Sequence, residues 1–294
     1  MTKGDDTMPK PMVEHAEFVS QLVKNNTWMI TGRGCTAYLC VGDNFGVMID
    51  TGEYYEDIHE YVSTLTDKPV EIVLNTHGHF DHTGGNGFFK TALMGRLAAE
   101  IAKVPNGKFG EVHFSQFKTD YAIVVVDDGY KIDLGNRVIE AFKIDGHSPD
   151  SIAWLDHGER IVFGGDAVSD VVPSMYKCQA PQPSTILYVQ SLGKLLAHRE
   201  EFDYVLTGHG EKLFDASVVD YCMINALRAL NGETDERPQR KAPVRIGPDG
   251  KPEKGPMDDI PEELKGFVTY NGVNYMFHRG YVKDTTRYDI VQGT

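Results

Sequence analysis

Apolar runs of strand length alternate along this 294-residue chain with stretches of helical period, and that alternation predicts an α/β fold. Two further observations point the same way. Most of the apolar runs that precede an Asp or His end beside glycine, as expected where loops at strand ends converge above a sheet. The order of elements, strands and then a helix, also recurs on either side of about residue 150, without any internal sequence repeat.

In order, residues 1–25 begin polar and Pro-containing; Phe18, Leu22 and Val23 then suggest a short helix or an arm. Trp28–Ile30, Thr36–Val41 and Phe45–Asp50 read as successive strands separated by Gly and Asp-Asn turns. Apolar residues near helical spacing (Ile58, Tyr61, Val62, Leu65) predict a helix over Tyr55–Leu65. The run Val70–Leu74 is a buried strand, and Thr91–Met94 is a further short run before a helix from Arg96 to Lys103. Residues 104–120 read as a loop carrying Phe109, Phe114 and Phe117, long enough to suggest a lid or a substrate wall.

Tyr121–Val126 and Arg137–Ile144 are strands, and Ser151–Leu155 with Arg160–Phe163 form a hairpin. A second long loop from Asp166 to about Thr185 holds Met175, Tyr176 and Cys178. A helix over Ile186–His198, a strand over Asp203–Leu206 and a helix over Ala216–Leu230 complete the pattern. Residues 232–265 then turn rich in Pro, Gly, Lys and Glu and read as a linker. Beyond it, two aromatic and β-branched runs flank Asn271-Gly272, a strong type I′ hairpin signal. An isolated hairpin is marginal in water, so this one is expected to dock on its own domain or on a partner subunit. The expected organisation is an arm (1–25), a catalytic domain (26–230) and a C-terminal extension (231–294) that could support a homodimer.

Composition narrows the function. Hydrophobic residues make up 41% and charged residues 24%, enough for an ordinary core. The net charge of −14, from 29 Lys+Arg against 43 Asp+Glu, repels phosphate backbones and anionic membranes. Neither nucleic acid nor a membrane is therefore expected as a partner. Cys35, Cys40, Cys178 and Cys222 form no C-x-x-C pair, so free thiols in a reducing compartment are expected. With no secretory signal and no window of membrane-span length, the expected location is cytoplasmic.

The chemistry concentrates in Thr76-His77-Gly78-His79-Phe80-Asp81-His82-Thr83-Gly84-Gly85, directly after the strand Val70–Leu74. His77 and His79, two apart, can point the same way; Asp81 and His82 follow at the bend and can face a second point. Four further Asp or His residues stand at strand ends beside glycine or a turn: Asp50, His147, Asp166 and His209. A single histidine in such a place is more often structural than a ligand, but the tight cluster raises the weight of each. A dense set of imidazoles and carboxylates points to a metal.

The pattern H-x-H-x-D-H at His77–His82, with Gly-His-Ser at His147, Gly-Gly-Asp at Asp166, Gly-His-Gly at His209 and Asp50-Thr51-Gly52 upstream, resembles the metallo-β-lactamase superfamily over residues 26–230. The resemblance implies an αββα sandwich, two mixed β-sheets face to face with helices on the outer faces. It also implies that His77, His79 and His147 hold one metal. Asp81, His82 and His209 would hold the other, with Asp166 bridging and Asp50 orienting the ligand loops. Such a donor set suits two Zn(2+) ions, with Fe or Mn as the other occupants.

The implied reaction is hydrolysis of an ester, lactone, thioester or amide of a small molecule. A hydroxide shared by two ions would attack the carbonyl, and Asp81 would return the proton. The superfamily's lactonases carry tyrosine three residues after the bridging aspartate. This chain has Ser169 there, and Tyr176 is the substitute oxyanion donor. Tyr38, Phe80, Phe114, Phe117 and Met175 are the expected pocket walls. An iron-dependent oxidoreductase, such as a persulfide dioxygenase relative, is the alternative. The histidine at position 79, where diiron relatives carry glutamate, favours zinc and hydrolysis.

Overall fold

The computed structural model describes residues 12–14, 18–32, 34–53, 57–103, 118–149, 151–174, 183–237 and 260–285. An eight-stranded sheet takes its strands in chain order: β1 (Met12–Glu14), β2 (Val19–Lys24), β3 (Thr27–Thr31), β4 (Ala37–Val41), β5 (Gly46–Ile49), β6 (Val70–Leu74), β7 (Thr91–Met94) and β8 (Ala122–Val125). Its first five strands are antiparallel neighbours, and β5 to β8 run parallel. The second sheet contains β9 (Lys131–Asp133), β10 (Val138–Lys143), β11 (Ile152–Asp156), β12 (Ile161–Gly165), β14 (Tyr204–Thr207) and β15 (Leu213–Asp215). Its order is β15-β14-β12-β11-β10-β9, with β12 and β14 parallel. Both sheets are mixed, as the α/β sandwich requires.

Side-chain alternation along the strands explains why the two sheets stack. In β4, Tyr38 and Cys40 join the layer between the sheets, while Ala37, Leu39 and Val41 face the opposite side. In β11, Ile152 and Trp154 face inward, and Ala153 and Leu155 outward. Strands buried on both faces read as continuous apolar runs, which is how they stood out in the sequence.

On the outer face of the first sheet lie α1 (Ile58–Val62) and α3 (Arg96–Ile101), contributing Ile58, Tyr61, Val62 and Ala98. The outer face of the second is covered by α4 (Thr185–Leu196) and α5 (Ser217–Leu230), through residues such as Leu192, Leu195, Val219 and Ala226. Each fully buried Leu, Ile, Val or Phe contributes about 1.5–3 kcal/mol, so the central layer fixes one sheet firmly against the other.

Besides β1, which lies within the expected arm, four segments differ from the sequence expectation. Val19–Lys24 is a strand rather than a helix or arm, paired antiparallel with β3. Its Ser20 is fully buried and accepts from the Tyr61 hydroxyl at 2.8 Å, so a polar residue stands where the pattern would call for an apolar one. The short polar strands β9 and β15 carry too few apolar residues to register. The fourth is β13 (Val171–Pro173), which lies inside the expected long loop.

β13 belongs to a third sheet, ordered β13-β17-β16, with the C-terminal hairpin β16 (Lys265–Tyr270) and β17 (Val273–His278). The turn between them has Asn271 and Gly272 both at positive φ (47° and 82°), the geometry that the Asn-Gly signal predicted. Val268, Val273, Tyr275 and Phe277 enter the same core as α4 and α5, so the hairpin packs on its own chain. Among the described residues, no helix is long and apolar enough to cross a membrane. Cys35, Cys40 and Cys222 are buried free thiols; Cys178 lies outside the described residues.

Candidate metal centre

The predicted donors all fall at one edge of the sandwich. Asp50 follows β5 and the His77–His82 segment follows β6; His147 lies between β10 and β11, Asp166 follows β12, and His209 follows β14. Hydrogen bonds between the sheets hold that edge together. Ile152 N donates to the Thr76 carbonyl at 2.6 Å, Trp154 Nε1 to the Asn75 carbonyl at 3.1 Å, and Thr36 N to the Gly208 carbonyl at 2.7 Å. The two halves of the donor set are thus positioned by contacts that neither sheet makes alone.

Three imidazoles form the deeper part. His77 Nε2 and His147 Nε2 stand 2.9 and 3.0 Å from His79 Nδ1. His147 Nδ1 lies 2.6 Å from the Pro173 carbonyl, which can only accept, so that nitrogen carries the proton and Nε2 presents a lone pair. The same logic reaches His77. The Thr76 hydroxyl donates to Asp50 Oδ2 at 2.7 Å and therefore accepts from His77 Nδ1 at 3.1 Å.

His82 Nδ1 donates to the same carboxylate oxygen at 2.8 Å. Asp50 thereby sets the proton positions of two histidines, one directly and one through Thr76. It holds this place at φ 55°, an uncommon conformation for a non-glycine residue and one that marks stored strain.

Asp166 lies between the two groups. One of its carboxylate oxygens is 3.5 Å from His147 Nε2 and 3.3 Å from His209 Nε2, and the other is 3.6 Å from His82 Nε2. Asp81 Oδ2 completes the outer group, 3.6 Å from His209 Nε2 and 3.9 Å from His82 Nε2. Within each of the sets His77–His79–His147, His77–His82–Asp166 and Asp81–His82–His209, the donor atoms lie within 4.8 Å of one another. Glycine at 208 is obligatory here, because a Cβ would stand 2.2 Å from Asp166 Oδ1 and 2.8 Å from His82 Cε1.

The electrostatics fit cations. Burial, then its imidazole neighbours, drive His77 well below the ordinary histidine range. Burial takes His79 down to about 3 and lowers His147 as well. These three rings are therefore neutral, and the Nε2 lone pairs of His77 and His147 both face His79 Nδ1, a cluster of donors that a positive ion would join.

On the other side, burial opposes ionisation of Asp166, yet His209, His82 and His147 hold it well below the usual carboxylate range. Asp166 in turn raises His209. Burial opposes charge on His82, but Cys35, Asp166, Asp81 and Asp50 hold its proton well above the ordinary value. Protons on His82 and His209 stand where a second cation would. His79 Nε2 and His82 Nε2 are buried with no hydrogen-bond partner among the described residues, and for His82 that orphaned nitrogen faces the carboxylates. The donor set fits metal binding.

The remaining sequence candidates are placed unevenly. Tyr38 is 2% exposed in the layer between the sheets and donates to the Thr207 carbonyl at 2.6 Å, so it supports the His209 loop and is not a pocket wall. Phe80 is buried at the start of α2 (Phe80–Thr83). Phe114, Phe117, Met175 and Tyr176 lie outside the described residues.

Two participants escaped the sequence reading. Thr76 stands beside the motif, and only its contact with Asp50 reveals its part. Cys35 is buried against His82 and Asp50, a placement that no spacing could announce. The centre opens on one side, with the His209 side chain 47% and Asp81 30% exposed, while His77, His82 and His147 are sealed.

The chain is similar to several known proteins. The chain is 25% identical to the human acyl-coenzyme A thioesterase MBLAC2 over 48% of its own length, and it spans 60% of that protein. It is 26% identical to a hydroxyacylglutathione hydrolase of Methylobacterium sp., covering 71% of this chain and 74% of that one. The chain spans little more than half the length of the first curated relatives it matches, between 54% and 60%. Among solved structures, a metallo-beta-lactamase from Erythrobacter litoralis superposes with a TM-score of 0.56 at 17% identity, over 74% of this chain and all of that one (100%), which supports the fold. The family model described as metallo-beta-lactamase superfamily matches residues 30–209, which hold every donor from Asp50 to His209, and the chain belongs to that superfamily.

Proposed function

We propose that this chain is a hydrolase that uses two divalent ions, zinc in the first instance, to cleave an acyl bond in a small molecule. Thioesters are the leading class, followed by esters, lactones and amides. The observation that carries the reading is the position of Asp166 between two donor groups, within 3.3–3.6 Å of His82, His147 and His209. The similarity to an acyl-coenzyme A thioesterase and a hydroxyacylglutathione hydrolase supports the choice of bond.

Two ions held in this way supply a nucleophilic water of lowered pKa and a Lewis acid for the carbonyl oxygen. The protein does the rest. His77, His79 and His147 form a neutral, desolvated wall at the closed end. Asp166 concentrates negative charge between the two groups. Substrate enters from the open side, past His209 and Asp81, so the acyl group meets the donors with its leaving group toward solvent. Asp81 lies on that side, where its carboxylate would carry a proton to the departing atom. Asp50 and Thr76 keep the protons of His82 and His77 away from the ligating nitrogens. The iron-dependent oxidoreductase alternative gains no specific contact from this geometry.

The test is elemental analysis of protein purified without added metal, paired with a hydrolysis screen of acyl thioesters, lactones, aryl esters and β-lactams. About two zinc ions per chain and turnover that chelation abolishes are expected. One iron per chain with no hydrolysis of any of the four classes would refute the proposal.

A further inference from the structure

The C-terminal hairpin lies beyond the residues matched by the family model, yet its hydrogen bonds lead straight to the metal centre. β17 pairs in parallel with β13, placing Val171, Val172 and Pro173 opposite Asn274, Tyr275 and Met276. The bonding continues past the strand, where Ser174 N donates to the Met276 carbonyl at 2.9 Å. At the other end, Asn274 N donates to the Asp170 carbonyl at 2.8 Å. The segment so fixed makes two contacts with the His147 loop. The Pro173 carbonyl accepts from His147 Nδ1 at 2.6 Å, and the Ser174 hydroxyl donates to the Gly146 carbonyl at 2.8 Å.

A second route runs through side chains. Tyr275 of β17 packs on Tyr188 of α4 with ring centroids 5.3 Å apart, and its hydroxyl lies 3.0 Å from Thr185 Oγ1. Tyr188 is fully buried, and its hydroxyl donates to the carbonyl of Ala167, the residue after Asp166, at 2.7 Å. Its ring also fills the space beside Gly146, where a Cβ would come within 2.5 Å of it. The two donors drawn from the second sheet's inner loops, His147 and Asp166, are thus supported from beneath by one tyrosine that the hairpin holds in place.

We propose that the C-terminal hairpin is a positioning element of the metal centre, acting through Pro173–Ser174 on His147 and through Tyr188 on Asp166. The proposal rests on the two-ion reading above. Its physical content is that a metal-ligating histidine is aimed by the acceptor on its other nitrogen, and this acceptor is fixed by a strand that the extension alone pairs. β13 forms no other strand pair among the described residues.

The test measures Co(II) and Zn(II) affinity by chelator competition, with the Co(II) visible spectrum alongside, on the full chain and three variants. Ser174→Ala removes one of the two contacts with the His147 loop, loosening the Pro173 carbonyl that holds His147, and Tyr275→Leu removes the support beneath Tyr188. Val219→Ala trims the same core from α5 and serves as the control for simple loss of packing.

Ser174→Ala and Tyr275→Leu are expected to weaken metal binding at the group served by His147 and Asp166 by about tenfold to a hundredfold and to alter the Co(II) bands. Val219→Ala should lower the melting temperature and leave affinity within about twofold of the unaltered chain. Equal affinities in all four proteins would overturn the positioning role alone. An unaltered chain that takes up no metal would overturn the two-ion reading with it. Should Tyr275→Leu fail to fold, Ser174→Ala and Tyr188→Phe, which deletes only the hydroxyl to Ala167, decide the matter.

Discussion

Replacing Asp50 by asparagine should cost metal affinity rather than fold, and the reason lies in the donors that its carboxylate serves. Oδ2 accepts from the Thr76 hydroxyl and from His82 Nδ1; Oδ1 accepts from Thr76 N at 2.8 Å and Asn75 Nδ2 at 3.3 Å. Asparagine tolerates the left-handed backbone at φ 55°, so the substitution does not itself force a new loop. Its amide nitrogen must nonetheless replace one acceptor oxygen.

If the nitrogen faces Thr76 N, a buried backbone donor is left opposite another donor, at a cost of about 1–3 kcal/mol. If it faces His82, that ring keeps a hydrogen bond only by moving its proton to Nε2, the nitrogen needed for the metal. The Thr76 hydroxyl must then turn as well, which loosens His77. The loss of such an outer partner weakens binding by about tenfold to a hundredfold, or about 1.4–2.7 kcal/mol.

Competition against a chromogenic chelator measures this directly, with far-UV circular dichroism to show that the fold persists. Zinc affinity of Asp50→Asn within about threefold of the unaltered chain, with the fold intact, would refute the reasoning.

Two other substitutions separate the site from its scaffold. Gly208→Ala places a methyl group against Asp166 Oδ1 and His82 Cε1, and should reduce the metal count per chain with the secondary structure unchanged; an undiminished count in elemental analysis would contradict this. Asp156→Asn removes the partner of Arg137, whose buried guanidinium also donates to Thr27 Oγ1 at 2.7 Å, and should cost about 3–5 kcal/mol in urea unfolding with metal content intact. A loss below about 1 kcal/mol would show that Arg137 finds other compensation.

The donors at the site were legible because each stands at the end of a run whose burial on both faces forces continuous apolar composition. Val70–Leu74 and Thr91–Met94 emerged with their ends correct for the same reason. What stayed hidden depends on residues far apart in the chain. β13 is three residues ending in proline, and only pairing with β17 some hundred residues later makes it a strand. Tyr38 looked like a pocket wall because aromatic residues near a motif look alike in sequence. Its hydroxyl bond to the Thr207 carbonyl, across the sandwich, assigns it to the scaffold. Tyr188 sits in an unremarkable amphipathic helix, and nothing in that helix announces the two loops above it.

The inter-sheet hydrogen bonds at the site edge bear on how this protein would acquire a metal. The first sheet carries His77, His79, Asp81 and His82 within six residues, whereas His147, Asp166 and His209 arrive only with the second. A folding chain with the first sheet alone exposes four donors but has neither the shared carboxylate nor the third imidazole of the deeper group. The full cage closes only when Ile152 reaches Thr76 and Thr36 reaches Gly208, which requires the two sheets to be docked. On the two-ion reading, full metal occupancy would therefore report completed tertiary structure.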